Sequence, residues 1–247
     1  MFAIDSTITL ANGVEMPRLG LGVFKAGAGD STRNAVRRAL DVGYRHIDTA
    51  AIYRNEEEVG DAIKSWCEEH EVAREEIFVT TKLWNDDHGY DEALEAYATS
   101  TAKLGLEYVD LYLLHWPVPG KRLDSWRALE RLLEQEKVRA IGVSNFTTRH
   151  IEQLLDVCEV KPHINQVELH PYLPQHELVE ACRAEGIATS AYSPLIKARK
   201  FDDVRLQQVA ERLGRSAAQL LIRWSLEQGH ISLPKSSNHD RIAQNAQ

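Results

Sequence analysis

Long apolar runs, an excess of basic residues and paired cysteines are all missing from this 247-residue sequence. No stretch approaches the roughly 18 apolar residues of a membrane span. The start, Met1-Phe2-Ala3-Ile4-Asp5-Ser6, has neither the basic lead nor the long apolar stretch of a secretory signal, so a soluble, cytoplasmic protein with no membrane partner is expected. Lys and Arg total 29 against 37 Asp and Glu, a formal charge of −8 that disfavours a broad nucleic-acid surface and any polybasic anchor. The three cysteines, Cys67, Cys158 and Cys182, are odd in number and far apart, each inside a helical pattern. Reduced thiols are expected, with no disulfide framework and no cysteine metal site. The ten histidines form no His-x-His pair and no His-Glu-x-x-His. His163, His170 and His176 fall in loops or turns without a carboxylate set, so no metal is expected and a metal-dependent barrel hydrolase is disfavoured. No Pro/Gly/Ser-rich linker divides the chain, and 43% hydrophobic with 27% charged residues is a globular composition, so residues 1–247 are read as one domain with a sizeable core.

Short apolar runs alternate with helix-period segments from end to end. Strands are expected at Leu19 to Gly22, His46 to Asp48, Ile77 to Lys82, Val109 to His115, Ala140 to Ser144, Asn165 to Val167, Ala188 to Tyr192 and Ile231 to Leu233. Helical patterns lie between them: Ser31 to Val42, Glu56 to His70, Asp91 to Leu104, Leu123 to Glu136, Thr147 to Val157, Gln175 to Glu185, and a pair over Asp203 to Leu213 and Ala217 to Glu227. Asp30 or Ser31 reads as a cap before the first helix, and Gly43, Gly105 and Gly186 as stops after theirs. Ahead of them, Ile8-Thr9-Leu10 and Val14-Glu15-Met16 flank Asn12-Gly13, a two-residue hairpin signal that would cap one end of a barrel. Eight strands alternating with helices point to an α/β fold, a (β/α)₈ TIM barrel with an N-terminal β-hairpin cap. An open doubly wound sheet usually carries a glycine-rich phosphate turn, but Gly20-Leu21-Gly22 lacks the third glycine and is read as a tight turn. A last helix begins near Asn238 and the sequence stops at Ala246-Gln247 after about two turns, which suggests that a C-terminal segment is missing.

In such a barrel the chemistry sits at the C-terminal ends of the strands. Three consecutive strands end in Asp48, Lys82 and His115, and Tyr53 follows five residues after Asp48. An adjacent lysine cation would lower the pKa of a phenol, a carboxylate would hold the lysine charged and oriented, and the imidazole can bind the oxygen of a polarised carbonyl. Singly, each residue has an ordinary use as a turn cap, a solvated strand end, a core histidine or a packing ring. Four together at neighbouring strand ends form a proton-delivery device.

The segments Leu19-Gly20-Leu21-Gly22, Gly43-Tyr44-Arg45-His46-Ile47-Asp48-Thr49-Ala50, Tyr53-Arg54-Asn55-Glu56, Thr80-Thr81-Lys82-Leu83-Trp84, Asp110-Leu111-Tyr112-Leu113-Leu114-His115-Trp116-Pro117, Gly142-Val143-Ser144-Asn145-Phe146, Asn165-Gln166-Val167-Glu168 and Ala191-Tyr192-Ser193-Pro194-Leu195 span nearly the whole chain. In them the sequence resembles the aldo-keto reductase family, in particular its compact bacterial 2,5-diketo-D-gluconate and methylglyoxal reductases. The resemblance implies an NADP(H)-dependent reductase of aldehydes and ketones, 2-oxo-aldehydes or keto sugars among them, acting as a monomer on small carbonyl substrates. It implies a catalytic tetrad of Asp48, Tyr53, Lys82 and His115, with Tyr53 as general acid. It also places Gly22, Val23, Asp48, Ser144, Asn145, Gln166, Tyr192, Leu195, Lys235, Ser236, Arg241 and Asn245 on the cofactor. Ser144, Asn145 and Gln166 would bond the nicotinamide carboxamide, and Tyr192 would stack on the ring. Lys235, Ser236, Arg241 and Asn245 match the adenosine and 2′-phosphate site, although Ser237-Asn238-His239 departs from the usual stretch there. Phe24, Trp84 and Trp116, with Tyr53 and His115, match the substrate pocket. Asn145 also reads as a helix cap before Thr147, and Lys197-Ala198-Arg199-Lys200 lies in a loop that folds over the pyrophosphate in many members. The alternative is a nicotinamide-binding regulatory or scaffold barrel with little turnover.

Overall fold

A computed structural model describes residues 3–27 and 29–247. An antiparallel hairpin of β1 (Thr7–Thr9) and β2 (Glu15–Pro17) comes first. Eight parallel strands follow: β3 (Leu21–Gly22), β4 (His46–Asp48), β5 (Phe78–Leu83), β6 (Val109–Leu114), β7 (Val138–Ser144), β8 (Ile164–Glu168), β9 (Ala188–Tyr192) and β10 (Ile231–Leu233). Each pairs with its neighbour in sequence. The two edges then meet: Gly20 N–H donates to Ser232 O at 3.0 Å, Ser232 N–H to Arg18 O at 2.8 Å and Gly22 N–H to Pro234 O at 3.1 Å, which closes the sheet into a barrel. The helices are α1 (Asp30–Asp41), α2 (Glu56–His70), α3 (Tyr90–Leu104), α4 (Arg122–Glu134), α5 (Thr148–Leu155), α6 (His176–Ala184), α7 (Val204–Leu213), α8 (Ala217–Glu227) and α9 (His239–Asn245), with α7 and α8 both between β9 and β10. The (β/α)₈ barrel read from the alternation is therefore present.

Alternation of side chains along each strand separates two apolar layers. Tyr112 and Leu114 of β6 face outward into the large core beneath the helices, whereas Leu111 and Leu113 face inward with Phe78, Ala140, Ile164, Ile231 and Leu233. Leu10 and Met16 of the hairpin, both buried, belong to this inner cluster, and Asn12 Nδ2 donates to Arg139 O near the start of β7 at 2.9 Å. The hairpin thus stoppers the N-terminal end of the barrel. Only the C-terminal ends of the strands remain open to form a site.

Several local expectations need correction. The hairpin turn has three residues, not two: Leu10 pairs with Val14, Gly13 N–H donates to Leu10 O at 2.8 Å, and Gly13 adopts a left-handed φ of 84°. Leu21-Gly22 is strand rather than turn, and Gly20 just before it bonds across to Ser232. Gly20 is small because a Cβ there would lie 2.5 Å from His46 Nδ1 and 2.8 Å from Leu233, both of which fill the barrel interior. Helix α1 starts at Asp30 itself, after Gly29, without a side-chain cap. Cys158 lies in the turn beyond α5 rather than inside a helix, while all three cysteines are free. His176 opens α6 rather than sitting in a loop.

Candidate active site

Strands β4, β5 and β6 are neighbours, and their alternation aims Asp48, Lys82 and His115 at the same open end. Strand β5 runs one residue past Lys82, to Leu83. The ammonium of Lys82 is fully buried and donates to Asp48 Oδ1 at 2.6 Å and to Thr49 O at 2.8 Å. Asp48 Oδ2 accepts from Gln166 Nε2 at 2.8 Å, so both carboxylate oxygens are engaged. Burial lowers the pKa of Lys82 and the Asp48 charge opposes that shift.

Tyr53 ends a single 3₁₀ turn, Ala51–Tyr53, closed by Arg54 in a left-handed conformation. The Lys82 Nζ lies 5.2 Å from the centre of its ring, with His115 at 5.8 Å and Phe24 at 4.9 Å between ring centres. Its phenol does not behave as the strand-end chemistry suggested. Burial first, and the Asp48 charge second, push its pKa up rather than down. Desolvation dominates, and Asp48, 2.6 Å from the Lys82 ammonium, offsets part of the field that the ammonium exerts at the phenol. The phenol therefore keeps its proton at neutral pH. Burial, reinforced by the Lys82 charge, pushes His115 down to about 3, so its imidazole is neutral and can present an N–H to an oxygen. In side-chain nitrogen NMR of the free protein, the His115 resonances are expected to stay at neutral-imidazole positions from pH 8 to about 5. A midpoint near the ordinary histidine value would contradict this placement.

A second wall stands opposite. Ser144 Oγ donates to Gln166 O at 2.8 Å, and Asn145 Nδ2 donates to His115 O at 2.9 Å and to Ser144 Oγ at 3.1 Å. Tyr192 OH donates to Asn145 Oδ1 at 2.8 Å, and burial raises the pKa of that phenol to about 12. Asn145 therefore ties the ends of β6, β7 and β9 together. It does not cap α5; Thr147 does, with its N–H donating to His150 Nδ1 at 3.3 Å.

These groups surround one cavity of about 690 Å³ at the barrel mouth. Gly22, Phe24, Asp48, Tyr53, Trp84, His115, Trp116, Ser144, Asn145, Gln166, Tyr192, Leu195 and Lys235 all line it, and Lys82 lies buried just beneath. Three lysines, Lys25, Lys197 and Lys235, bring positive charge to its rim. Lys25, Asn145, Ser193, Ile196 and Lys197 have left-handed φ values between 48° and 62°, so backbone strain concentrates in the loops around this opening. Cations at the rim and amides on the floor suit a ligand with anionic groups at one end and a planar amide at the other.

Other expected contacts lie elsewhere. Val23 is buried in the core between barrel and helices, its N–H on Asp48 O at 3.1 Å and its carbonyl accepting from Asn55 Nδ2 at 3.1 Å. Ser236 and Arg241 are outside the mouth lining. Ser236 Oγ donates to Asn238 O at 3.3 Å, and Asn238 caps α9 by accepting from the Arg241 N–H at 2.9 Å. Asn245 lines a second groove of about 560 Å³, with Arg215 and Gln219. Six mouth residues escaped the sequence reading: Lys25 lies in the loop past β3, Ile52 in the 3₁₀ turn past β4, Glu168 ends β8, Ser193 and Pro194 follow β9, and Leu233 ends β10. Glu168 was legible as a polar strand end. His170, read as lacking a carboxylate set, has one carboxylate beside it, Glu168 Oε1 at 3.4 Å from its Nε2. Among the described residues no group of three or more His, Cys, Asp or Glu side chains is placed to hold a metal ion, and no helix is long and apolar enough to cross a membrane.

Residues 18–247 match the model of the Aldo/keto reductase family. The chain is 50% identical over 244 residues to the glyoxal reductase of Bacillus subtilis, covering 99% of this chain and 87% of that protein. It is 47% identical over 243 residues to the methylglyoxal reductase DkgA of Yersinia pestis, covering 96% and 85%. Among solved structures, an aldo/keto reductase from Brucella melitensis superposes with a TM-score of 0.92 at 46% identity over 97% of this chain and 91% of that one. A Bombyx mori aldo-keto reductase in complex with NADP gives 0.92 at 38% identity over 99% and 88%.

Proposed function

The chain belongs to the aldo/keto reductase family, and from that premise we propose that its barrel mouth binds NADPH and reduces small aldehydes and ketones, 2-oxo-aldehydes of the methylglyoxal type first among them, with Tyr53 as the general acid. The observation that carries this reading is the meeting of Tyr53, His115 and the buried Lys82–Asp48 pair at one opening. The substrate class is supported by the glyoxal and methylglyoxal reductases to which the chain is similar.

The residues present fit the cofactor. Gln166 spends one amide proton on Asp48 and keeps Oε1 and a second N–H for another amide, which is what a carboxamide requires. Ser144 and Asn145 complete that set, Tyr192 offers a ring face, and Gly22 and Leu195 line the same cavity. Lys235, with Ser236 and Arg241 following it toward α9, would take the 2′-phosphate, and Asn245 the adenosine end. When bound, NADPH supplies the hydride for the carbonyl carbon. The chain supplies everything else. His115, neutral, donates an N–H to the carbonyl oxygen and orients it. Tyr53 passes its phenolic proton to that oxygen, and the phenolate left behind is stabilised by Lys82, which Asp48 keeps charged. The products are an alcohol and the oxidised cofactor. Phe24, Trp84, Trp116 and Ile52 make the approach apolar, which admits a small carbonyl compound and excludes bulk water from the developing charge.

NADPH oxidation, followed at the nicotinamide absorbance with methylglyoxal, a diketogluconate and an aromatic aldehyde, tests this directly. Turnover with methylglyoxal is expected. NADPH binding without turnover on any of the three would instead favour a non-catalytic barrel. Lys235→Ala is expected to weaken NADPH roughly tenfold and NADH much less, the difference shrinking with added salt; equal weakening of both would remove Lys235 from the 2′-phosphate.

A further inference from the structure

Immediately after Tyr53 the chain turns through left-handed Arg54, with φ 56°, and then buries two polar residues in succession, Asn55 and Glu56. Asn55 Oδ1 accepts from Thr49 Oγ1 at 2.8 Å and its Nδ2 donates to Val23 O, so it fastens the Tyr53 turn to the ends of β3 and β4. Thr49 is the residue whose carbonyl accepts from Lys82 Nζ. Glu56 reaches the other way. Its Oε1 accepts from Thr81 Oγ1 at 2.6 Å, and Thr81, fully buried, is the residue before Lys82 on β5.

A helix N-terminus favours acidic residues, and α2 begins Glu56-Glu57-Glu58. That preference does not account for Glu56. Glu57 meets it at the surface, and Glu58 accepts from Gly29 N–H at 2.9 Å, whereas Glu56 is 2% exposed. One of its oxygens is buried with no hydrogen-bond partner, as is the hydroxyl of Tyr112 on β6. Burying a carboxylate so poorly served is costly unless a charge nearby repays it. Its charge favours the ammonium of Lys82, after the larger effect of Asp48.

We propose that Glu56 is a positioning residue for the reduction: it clamps the Tyr53 turn to the strand that carries Lys82, and its buried charge, on the helix side of that strand, adds to that of Asp48 in favouring the ammonium. The proposal rests on the roles assigned above to Tyr53 and Lys82. The titratable and charged groups around Lys82 are Asp48 and His46 from β4, Tyr53 from the turn and His115 beyond β6 on the barrel side, and Glu56 from α2 on the helix side, where Thr81 points beside Tyr112. Both histidines are held neutral, chiefly by burial, at about 4 and about 3. Asp48 and Glu56 are then the two anions that keep Lys82 charged against its burial. Asp48 also accepts from Gln166, whereas the side-chain bond of Glu56 is the one from Thr81.

Glu56→Gln keeps the shape and the bond from Thr81 but removes the charge. In lysine-labelled protein without cofactor, the Lys82 Nζ titration seen by NMR is expected to fall by about one pH unit. The alkaline limb of the kcat profile should fall with it, while the NADPH Kd holds and Glu56→Asp restores the limb. Thr81→Val keeps volume and charge and removes the clamp; kcat is expected to drop roughly tenfold at unchanged NADPH Kd and unchanged limb position. A Lys82 titration and kcat profile at wild-type positions in Glu56→Gln would overturn the proposal. If that variant does not fold, wild-type kcat in Thr81→Val would overturn it instead. Tyr53→Phe, run alongside, separates the two levels: full activity there sinks the catalytic reading itself, whereas its loss with an unmoved Glu56→Gln profile sinks only the role of Glu56.

Discussion

Tyr53→Phe is expected to lower kcat by about 10²–10⁴-fold and to leave the NADPH Kd unchanged. The substitution removes one oxygen and keeps the ring, which packs against Phe24 and His115. The phenol is the one acidic O–H among the four converging groups, and burial keeps it protonated at neutral pH. A raised pKa makes a reluctant acid in the free protein. The ammonium 5.2 Å from the ring centre is then the group that makes proton release affordable as the carbonyl oxygen becomes basic. Steady-state kinetics beside a cofactor titration check this; a mutant with near wild-type kcat would transfer the acid role to His115, which the low pKa of its imidazolium already argues against.

Breaking the Lys82–Asp48 pair is expected to have the largest effect on stability. Lys82 is fully buried and Asp48 nearly so, with 2.6 Å between them. Lys82→Met leaves Asp48 with only the Gln166 amide on its side chain, and Asp48→Asn leaves an ammonium with no anion in contact. Each single change should cost about 3–5 kcal/mol, because the partner remains as a buried, uncompensated charge. The double variant should lose clearly less than the sum of the two. Denaturant unfolding of the four proteins measures this. Additive costs, or single costs below about 1 kcal/mol, would mean that solvent screens the pair as it does surface pairs.

Much of this was legible because barrel strands carry a simple code. His46–Asp48, Ala188–Tyr192 and Ile231–Leu233 begin and end where the apolar runs do. Asp48, Lys82 and His115 stand out because polar groups close runs that are otherwise apolar. Side chains that act through the backbone were hidden. Val23 reads as a mouth residue, yet its side chain is buried in the large core while its carbonyl anchors Asn55. Lys25 lies in a loop and Ile52 in a single 3₁₀ turn, both too short for a period to mark a direction. The pKa direction of Tyr53 was not readable either. It depends on how closely Lys82 is neutralised by Asp48, a distance no spacing encodes. By position Glu56 is one of three acids in the first turn of α2, and its burial distinguishes it.

Hydride delivery at this mouth is tested most directly with NADPH deuterated at C4, prepared separately with the label on either face of the nicotinamide ring. Methylglyoxal reduced with each form would be examined for deuterium at the new carbinol carbon. If Ser144, Asn145 and Gln166 fix the carboxamide and Tyr192 covers one face, as proposed, the label passes to that carbon from one form and not from the other. A product free of deuterium from both forms, or labelled equally by both, would contradict the account.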